Sequence, residues 1–448
     1  MPADLVFDPL GVPRRVHIVG VGGAGMSGLA ALLTQMGHSV SGSDLAQSAV
    51  TAALGALGVP VAYGHVATNV SAADVVVASP AVPSDNVELE EARRRGATVL
   101  GRAQMLASVS RARSAVAVAG THGKTTTSTM VVEILNTAGL DPSFLLGAAV
   151  RGHKTGGHLG QGPHMVIEAD ESYGSFEFLE PYALAVTSVE ADHLDHYGDP
   201  ATLHAAFVRL AEATTGPRLV AMAGESCLRL ASGAGALLVG EDPGADYRLQ
   251  DLELSSASTR FCLARPTGGP IDVALSVPGR FNAMNAAVAA ATADALCVEA
   301  SGIEAGLARF VGVPRRFERR GEAAGVSFVI DYAHLPGEVR AAISTARLSP
   351  ATRVVAIFQP HRYTRTKSLA ASFAHAFDGA DVVFVTDVYG AGEARIEGVT
   401  GEMVSDALAR APGAPRVRYL ATRELLLAAV SQELIEGDLC LVLGAGDI

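Results

Sequence analysis

An α/β fold in three successive sections, each built on a mainly parallel sheet, is what this sequence predicts, and three observations predict it. Short apolar runs of strand length alternate with longer helix-like runs from end to end. Glycine-rich loops stand at two of the strand-to-helix junctions, one after residue 19 and one after residue 119. Polar, glycine and proline breaks interrupt the alternation at Ser110–Ser114 and Gly312–Pro314, and a length of 448 residues suggests about three domains.

The first section, residues 1–112, opens on a buried-strand pattern, Arg15 to Gly20, and runs through Gly20, Gly22, Gly25 and Gly28 into the apolar helix Leu29–Met36. This G-x-G-x-x-G spacing is Rossmann-like: glycines let the backbone turn and approach a diphosphate at a helix N-terminus. The strand-like His38–Ser41 leads to Asp44, near the distance at which a dinucleotide fold holds a ribose, and further apolar runs follow at Asp74–Ser79 and Thr98–Leu100. Taken alone, the loop fits NAD as well as any other diphosphate, so a nicotinamide-dependent oxidoreductase is one reading of this section.

The second section, residues 113–313, is expected to be a P-loop ATPase domain. Gly120-Thr121-His122-Gly123-Lys124-Thr125-Thr126-Thr127 lies between the apolar run Ala115–Ala119 and the helix-like Ser128–Ala138. Backbone N–H groups at Gly123, Lys124 and Thr125 can converge on an anion, Lys124 can reach terminal phosphate oxygens while touching little else, and the Thr125 hydroxyl can hold Mg²⁺. Val118 occupies the first glycine position of the usual G-x-x-x-x-G-K-[ST] pattern, so this form is narrower than a generic phosphate loop. Two acidic clusters follow strand-like runs: Glu168, Asp170, Glu171 and Ser172 after Met165–Ile167, and Glu190, Asp192, His193 and Asp195 after Ala183–Val189. If those strands lie beside the one feeding Lys124, Glu171 offers a hard oxygen and His193 a nitrogen to a divalent ion. The third section, residues 314–448, alternates again, with buried strands at Val326–Ile330, Arg353–Phe358, Val382–Thr386 and Leu439–Leu443.

Composition narrows the function classes. A net charge of −12 leaves no basic stripe for a nucleic acid. Lysine occurs only at Lys124, Lys154 and Lys367, which sets the loop lysine apart from background composition. Cys227, Cys262, Cys297 and Cys440 show no C-x-x-C spacing, as expected of reduced thiols, and no apolar run reaches membrane-spanning length. A cytoplasmic protein without a leader segment, monomeric or weakly dimeric, is expected.

The residues GVGGAGMSGLA (20–30), SGSD (41–44), Gly64-His65 with Asn69, Ser79–Asn86, Ala119–Thr127, Glu168–Ser172, Glu190–Tyr197, Asn282 with Asn285, RRFE (315–318), DYAH (331–334), FQPHRYTRT (358–366) and Val388–Gly398 together resemble the Mur ligase family over essentially the whole chain, and within it the alanine-adding branch. The resemblance implies a UDP-sugar domain, a central ATPase domain and a C-terminal Rossmann-like domain for the incoming amino acid. It implies ATP-dependent amide formation, with Mg²⁺, between L-alanine and the carboxylate of UDP-N-acetylmuramate through an acyl phosphate. Gly22, Gly23, Ala24, Gly25, Met26, Ser27, Asp44, His65 and Ser79 would then hold the UDP-sugar, and Asn282, Asn285, Arg316 and Asp331 the nucleotide. Tyr332, His334, Arg362 and Arg365 would line the amino-acid and acyl-phosphate side. A recycling ligase that joins a ready-made tripeptide to the same UDP-sugar is the nearest alternative.

Several positions depart from the family pattern: Phe281 where a histidine precedes the first asparagine, Ser188 for asparagine, Tyr173 for aspartate and Leu335 for a second histidine. No lysine lies between residues 155 and 366, so the carbamoylated lysine of some sister ligases has no candidate here, which agrees with the alanine-adding branch. The chain stops at Gly444–Ile448, just after a strand, where the family usually continues into a further helix.

Overall fold

The computed structural model describes residues 7–23 and 25–448, so the expected substrate contact Ala24 lies outside the described residues, as does the side chain of Asp195. Two compact units are present, one made of Met1–Gln250, Cys262–Val273 and Met284–Arg309, the other of Asp251–Phe261, Ala274–Ala283 and Phe310–Ile448.

The first sheet holds β1 (Arg15–Val19), β2 (Ser39–Asp44), β3 (Val61–Tyr63), β4 (Val75–Ala78) and β5 (Thr98–Gly101). Its order is β3-β2-β1-β4-β5, all parallel, so the chain reverses direction between β1 and β4, with Gly20 and Ser79 at the mouth of that crevice. Ile18 and Val19 of β1 are fully buried on opposite faces, as a strand covered on both sides requires, each contributing about 1.5–3 kcal/mol. Helix α1 (Met26–Gln35) packs on one face; α2 (Ala49–Gly55), α3 (Val87–Arg94) and α4 (Arg102–Ser110) complete the section.

The middle sheet comprises β6 (Ser114–Ala119), β7 (Ser143–Leu145), β8 (Gly157–His158), β9 (His164–Ala169), β10 (Ala183–Val186), β11 (Arg218–Ala221), β12 (Leu237–Gly240), β13 (Tyr247–Leu254), β14 (Thr259–Ala264) and β15 (Ile271–Leu275), in the order β15-β14-β13-β12-β11-β10-β6-β9-β7-β8. The strand that feeds Lys124, β6, is flanked by β10 and β9, both parallel to it, which is the arrangement the two acidic clusters needed. Helix α5 (Lys124–Thr137) begins at the loop lysine itself, one turn earlier than the apolar pattern suggests. Its polar start survives burial because hydroxyls bond back along the helix, Ser128 Oγ to Lys124 O at 2.8 Å and Thr129 Oγ1 to Thr125 O at 2.7 Å. Gly306, in the helix Ala300–Arg309, lets that helix press on α5: a Cβ there would meet Ile134 Cα at 2.5 Å.

The last sheet contains β16 (Glu318–Ala323), β17 (Val326–Asp331), β18 (Arg353–Phe358), β19 (Val382–Val385), β20 (Arg416–Tyr419) and β21 (Asp438–Leu443) in the order β16-β17-β21-β18-β19-β20. All pairs are parallel except the β16–β17 hairpin. No helix among the described residues is long and apolar enough to cross a membrane.

Candidate active site

The centre of the site is Lys124, the first residue of α5. Gly123, just before it, has φ of +80°, a left-handed conformation that favours glycine, and Asn285 Oδ1 stands where a side chain at 123 would have to go. Lys124 Nζ donates to Glu171 Oε2 at 2.7 Å and lies 3.7 Å from Asp170 Oδ1. Glu168, at the end of β9, accepts from the Thr125 hydroxyl at 3.1 Å and from Gly147 N at 2.8 Å. From the β10 side, Ser188 O accepts from Thr121 N at 3.1 Å and Ser188 Oγ from His122 N at 2.9 Å, so this serine still holds the loop backbone. Thr187 Oγ1 donates to the His122 carbonyl. Thr126 is 4 % exposed, so its side chain is buried.

Asp170, Glu171 and His193 each offer a ligand atom, all within 4.8 Å of one another. Burial pushes the Glu171 carboxyl up despite Lys124, while its Oε1 has no hydrogen-bond partner. Burial alone would also raise Asp170, but Lys124, Ser172, Arg102 and His193 outweigh it and hold that carboxyl well below its ordinary value. Lys124 is likewise pulled down by burial and lifted further by Glu171 and Asp170, so it stays charged. An orphaned carboxylate oxygen beside an ionised carboxylate and an imidazole is a donor set that fits a hard divalent cation. His193 is held in the left-handed region at φ +54°, and Tyr173 at the same φ, backbone strain that collects around this cluster.

In the first section the loop is neutral. Gly22 N donates to Asp44 Oδ2 at 2.8 Å, and the N–H groups of Met26 and Ser27 both go to Gly23 O at 3.1 Å. Met26 is buried in the core at 2 % exposure, so its side chain packs inward. Ser79 lines the crevice opposite Gly20, and Gly23 is exposed. His65 joins a buried cluster: its Nδ1 is 3.0 Å from Glu88 Oε2, which also accepts from Ser43 Oγ at 2.6 Å, while Glu88 Oε1 accepts from Asn69. Gly28 permits α1 to lie on β8, since a Cβ there would meet Gly157 N at 3.2 Å, and Gln35 Oε1 accepts from Leu159 N at 3.0 Å.

The third section gathers its candidates at the carboxyl edge of its sheet. Asp331 ends β17 and accepts from Phe317 N at 2.6 Å and Ala333 N at 2.7 Å; burial, reinforced by Glu338 against the pull of Arg316, lifts its pKa to about 6. The guanidinium carbons of Arg315 and Arg316 each stand 4.9 Å from the Tyr332 ring centroid. His334 Nδ1 lies 3.0 Å from Tyr332 O, and its ring is 5.5 Å from that of His361. After β18, Arg365 Nη1 lies 3.0 Å from His361 Nδ1, and Arg362 Nε pairs with Glu393 Oε1 at 2.8 Å. Arg362 has φ +71°, ψ 133°, a conformation unusual for a side chain of this size. His361 is driven to about 3 by burial and then by His334, Arg365 and Arg362, so it is neutral at physiological pH.

Of the two asparagines, Asn285 stands over the phosphate loop, while Asn282 Nδ2 donates to Pro278 O at 2.7 Å within the second unit. The structure therefore brings together Lys124, Thr125, Glu171 and His193 around one loop, and Tyr332, His334, Arg362 and Arg365 at another edge. Lys124 touches more than the phosphate reading implies, because two carboxylates already surround it. Arg102, Glu393 and Glu338 were not singled out by sequence, and Asp170, Glu168 and His361 were named only as members of their runs, without a role of their own. Asp170 and Glu168 stand in the acidic run itself and His361 in the FQPHRYTRT run, whereas nothing in the sequence pairs Arg102 with Asp170.

Family models match along the chain: "Mur ligase family, catalytic domain" over residues 15–114, "Mur ligase middle domain" over 118–293, and "Mur ligase, glutamate ligase domain" over 315–446. The UDP-N-acetylmuramate–L-alanine ligase of Myxococcus xanthus is 44% identical over 438 residues, covering 97% of this chain and 93% of its own. The crystal structure of a UDP-N-acetylmuramate–alanine ligase from Thermotoga maritima superposes with a TM-score of 0.81 at 30% identity, covering 97% of this chain and 96% of its own. A murein peptide ligase from Psychrobacter arcticus shares the fold, with a TM-score of 0.72 at 24% identity over 97% of this chain and 96% of its own. With all three sections matched in order and a curated relative aligned over nearly its full length, the chain belongs to the Mur ligase family.

Proposed function

We propose that this protein joins L-alanine to the carboxylate of UDP-N-acetylmuramate at the expense of ATP, in the synthesis of peptidoglycan precursors. The observation that carries the reading is Lys124, held at the head of α5 between Glu171 and Asp170, the two carboxylates that directly follow β9 beside the phosphate loop. A cation fixed there offsets charge that spreads over the γ-phosphoryl oxygens as phosphate is transferred. The sugar carboxylate attacks the γ-phosphorus and ADP leaves; the amine of L-alanine then adds to the acyl carbon, and phosphate departs as the amide forms. Thr121 and His122 tie the loop to Thr187 and Ser188, just after β10, and Asn285, which stands against Gly123, would face the nucleotide.

Asp170, Glu171 and His193, with Thr125 on the loop, would hold Mg²⁺, which when bound lowers the charge that the transferring phosphoryl group presents to its nucleophile. In the third section, Arg362 and Arg365 present planar forks suited to a carboxylate or acyl phosphate, and His334 and Tyr332 stand beside them. Arg316, paired with Glu338, and Asp331, which accepts from Phe317 N, would close on the nucleotide from that section.

L-alanine is favoured over a ready-made tripeptide because the relatives at 44% and 43% identity are named for alanine, whereas the murein peptide ligase is 24% identical. The test is phosphate release by the full-length protein with UDP-N-acetylmuramate and either single amino acids or the tripeptide. Release that depends on L-alanine supports the reading; release with the tripeptide alone would replace it.

A further inference from the structure

Arg102 is the first residue of α4, directly after β5, and so stands at the carboxyl edge of the first sheet. Its side chain points out of that section. Nη2 donates to Asp170 Oδ2 at 3.3 Å and reaches Ser175 Oγ at 3.5 Å. On its other side the guanidinium lies against the first glycine loop: a Cβ built on Gly25 would stand 3.0 Å from Nη1 and 3.8 Å from Cδ. Nε is buried and has no hydrogen-bond partner, although a guanidinium carries five donors in a fixed fork and a buried one left unused is costly. Asp170, at the far end of the same side chain, is the carboxylate whose Oδ1 lies 3.7 Å from Lys124 Nζ. One side chain thus bridges the diphosphate-type loop of the first section and the carboxylate beside the phosphate-loop lysine of the second, and the first loop has no cation of its own.

We propose that Arg102 supplies that missing charge, taking an anionic oxygen of the UDP diphosphate on its Nε and Nη1 edge while Nη2 remains on Asp170. The proposal rests on the reading of the first section as a UDP-sugar site. Arginine suits the task and lysine does not, because only a planar fork faces an anion on one edge while bonding a carboxylate at the other. The bridge also orients the sugar: with the diphosphate fixed to a group anchored on Asp170, the rest of the substrate is held at a set distance from Lys124.

The experiment is calorimetric titration of the full-length protein and its Arg102→Ala, Arg102→Gln and Arg102→Lys variants with UDP and with uridine, alongside thermal melting. UDP affinity is expected to fall roughly ten- to a hundredfold in all three variants, lysine recovering only part, while uridine, which has no phosphate, binds as in the wild type. Gln and Lys keep most of the packed stem and serve if the alanine variant does not fold. Unchanged UDP affinity in folded variants would overturn the proposal, and so would equal losses for UDP and uridine, which would mark a structural role. A wild-type protein that does not bind UDP at all would instead overturn the reading of the first section itself.

Discussion

The chain's two glycine loops share a local plan and treat charge in opposite ways. Both follow the opening strand of a parallel sheet and lead into a helix. The first turns its N–H groups on β2 and on itself, Gly20 and Val21 on Ser43, Gly22 on Asp44 and both Met26 and Ser27 on Gly23, with no cation inside it. The second keeps a lysine at its last position, buried between two carboxylates. A loop that only holds a ligand needs shape and a few donors. One that serves phosphoryl transfer needs a preorganised charge, and keeping that charge in place before the substrate arrives takes counter-charges.

The largest break in the comparison comes from Lys124→Ala. Turnover should fall by about a thousandfold or more, as for loss of a major transition-state charge contact. The protein should also lose roughly 3–5 kcal/mol of stability, because the buried Glu171 is left without its partner. Phosphate release and chemical denaturation measure the two effects; full activity with a normal unfolding midpoint would show that the second loop stores no working charge.

Charge of the same kind appears again at the edge of the third sheet, which sharpens the contrast with the neutral loop. Arg362→Ala and Arg365→Ala should each lose about ten- to a hundredfold in kcat/KM for alanine, with Arg365→Lys intermediate since it keeps charge and loses the fork. Alanine-dependent kinetics test this, and unchanged values in all three would remove these residues from the reaction.

Asp331 gives a smaller, pH-dependent effect. Its folded pKa of about 6 lies above the ordinary 3.8, so the folded protein binds the proton more tightly. The stability it contributes is complete below about pH 4 and is lost as pH rises through 6, about 2–3 kcal/mol in all. Asp331→Asn removes that dependence: relative to wild type the variant should gain stability between pH 4 and 7, whatever constant offset the two backbone bonds add. Parallel denaturation curves across that window would contradict it. The smallest effect is that of Ser188→Ala, which loses one bond to His122 N at 2.9 Å and should cost about 0.5–1.5 kcal/mol, read as a several-fold rise in the KM for ATP.

The same two loops show how far the sequence reaches. Strand-length apolar runs and glycine spacing are local signals, so the alternation, both loops and the order of the three sections were legible from it. The placement of Glu171 and His193 beside Lys124 depended on strand order, which periodicity does not encode; β10 and β9 turn out to flank β6. Strand ends drifted: Glu168 lies on β9 itself, and the run expected to reach Val189 pairs only as far as Val186, because the residues after it turn away to hold the loop. Asp44 was matched by distance to a ribose contact; its carboxylate accepts from Gly22 N, 22 positions away, a bond that spacing alone does not reveal. Arg102 was missed because its partner is 68 positions away. Leu335, which departs from the family pattern, is 5 % exposed and packs inward.

The claim that both loops serve one amide-forming reaction is tested most directly by following oxygen. UDP-N-acetylmuramate labelled with ¹⁸O in its carboxylate, incubated with ATP, L-alanine and the full-length protein, should yield inorganic phosphate carrying one labelled oxygen, because the carboxylate oxygen that attacks the γ-phosphorus leaves with the phosphate when the amine adds. Phosphate that forms in step with the amide but carries no label would contradict an acyl phosphate and the account built on it.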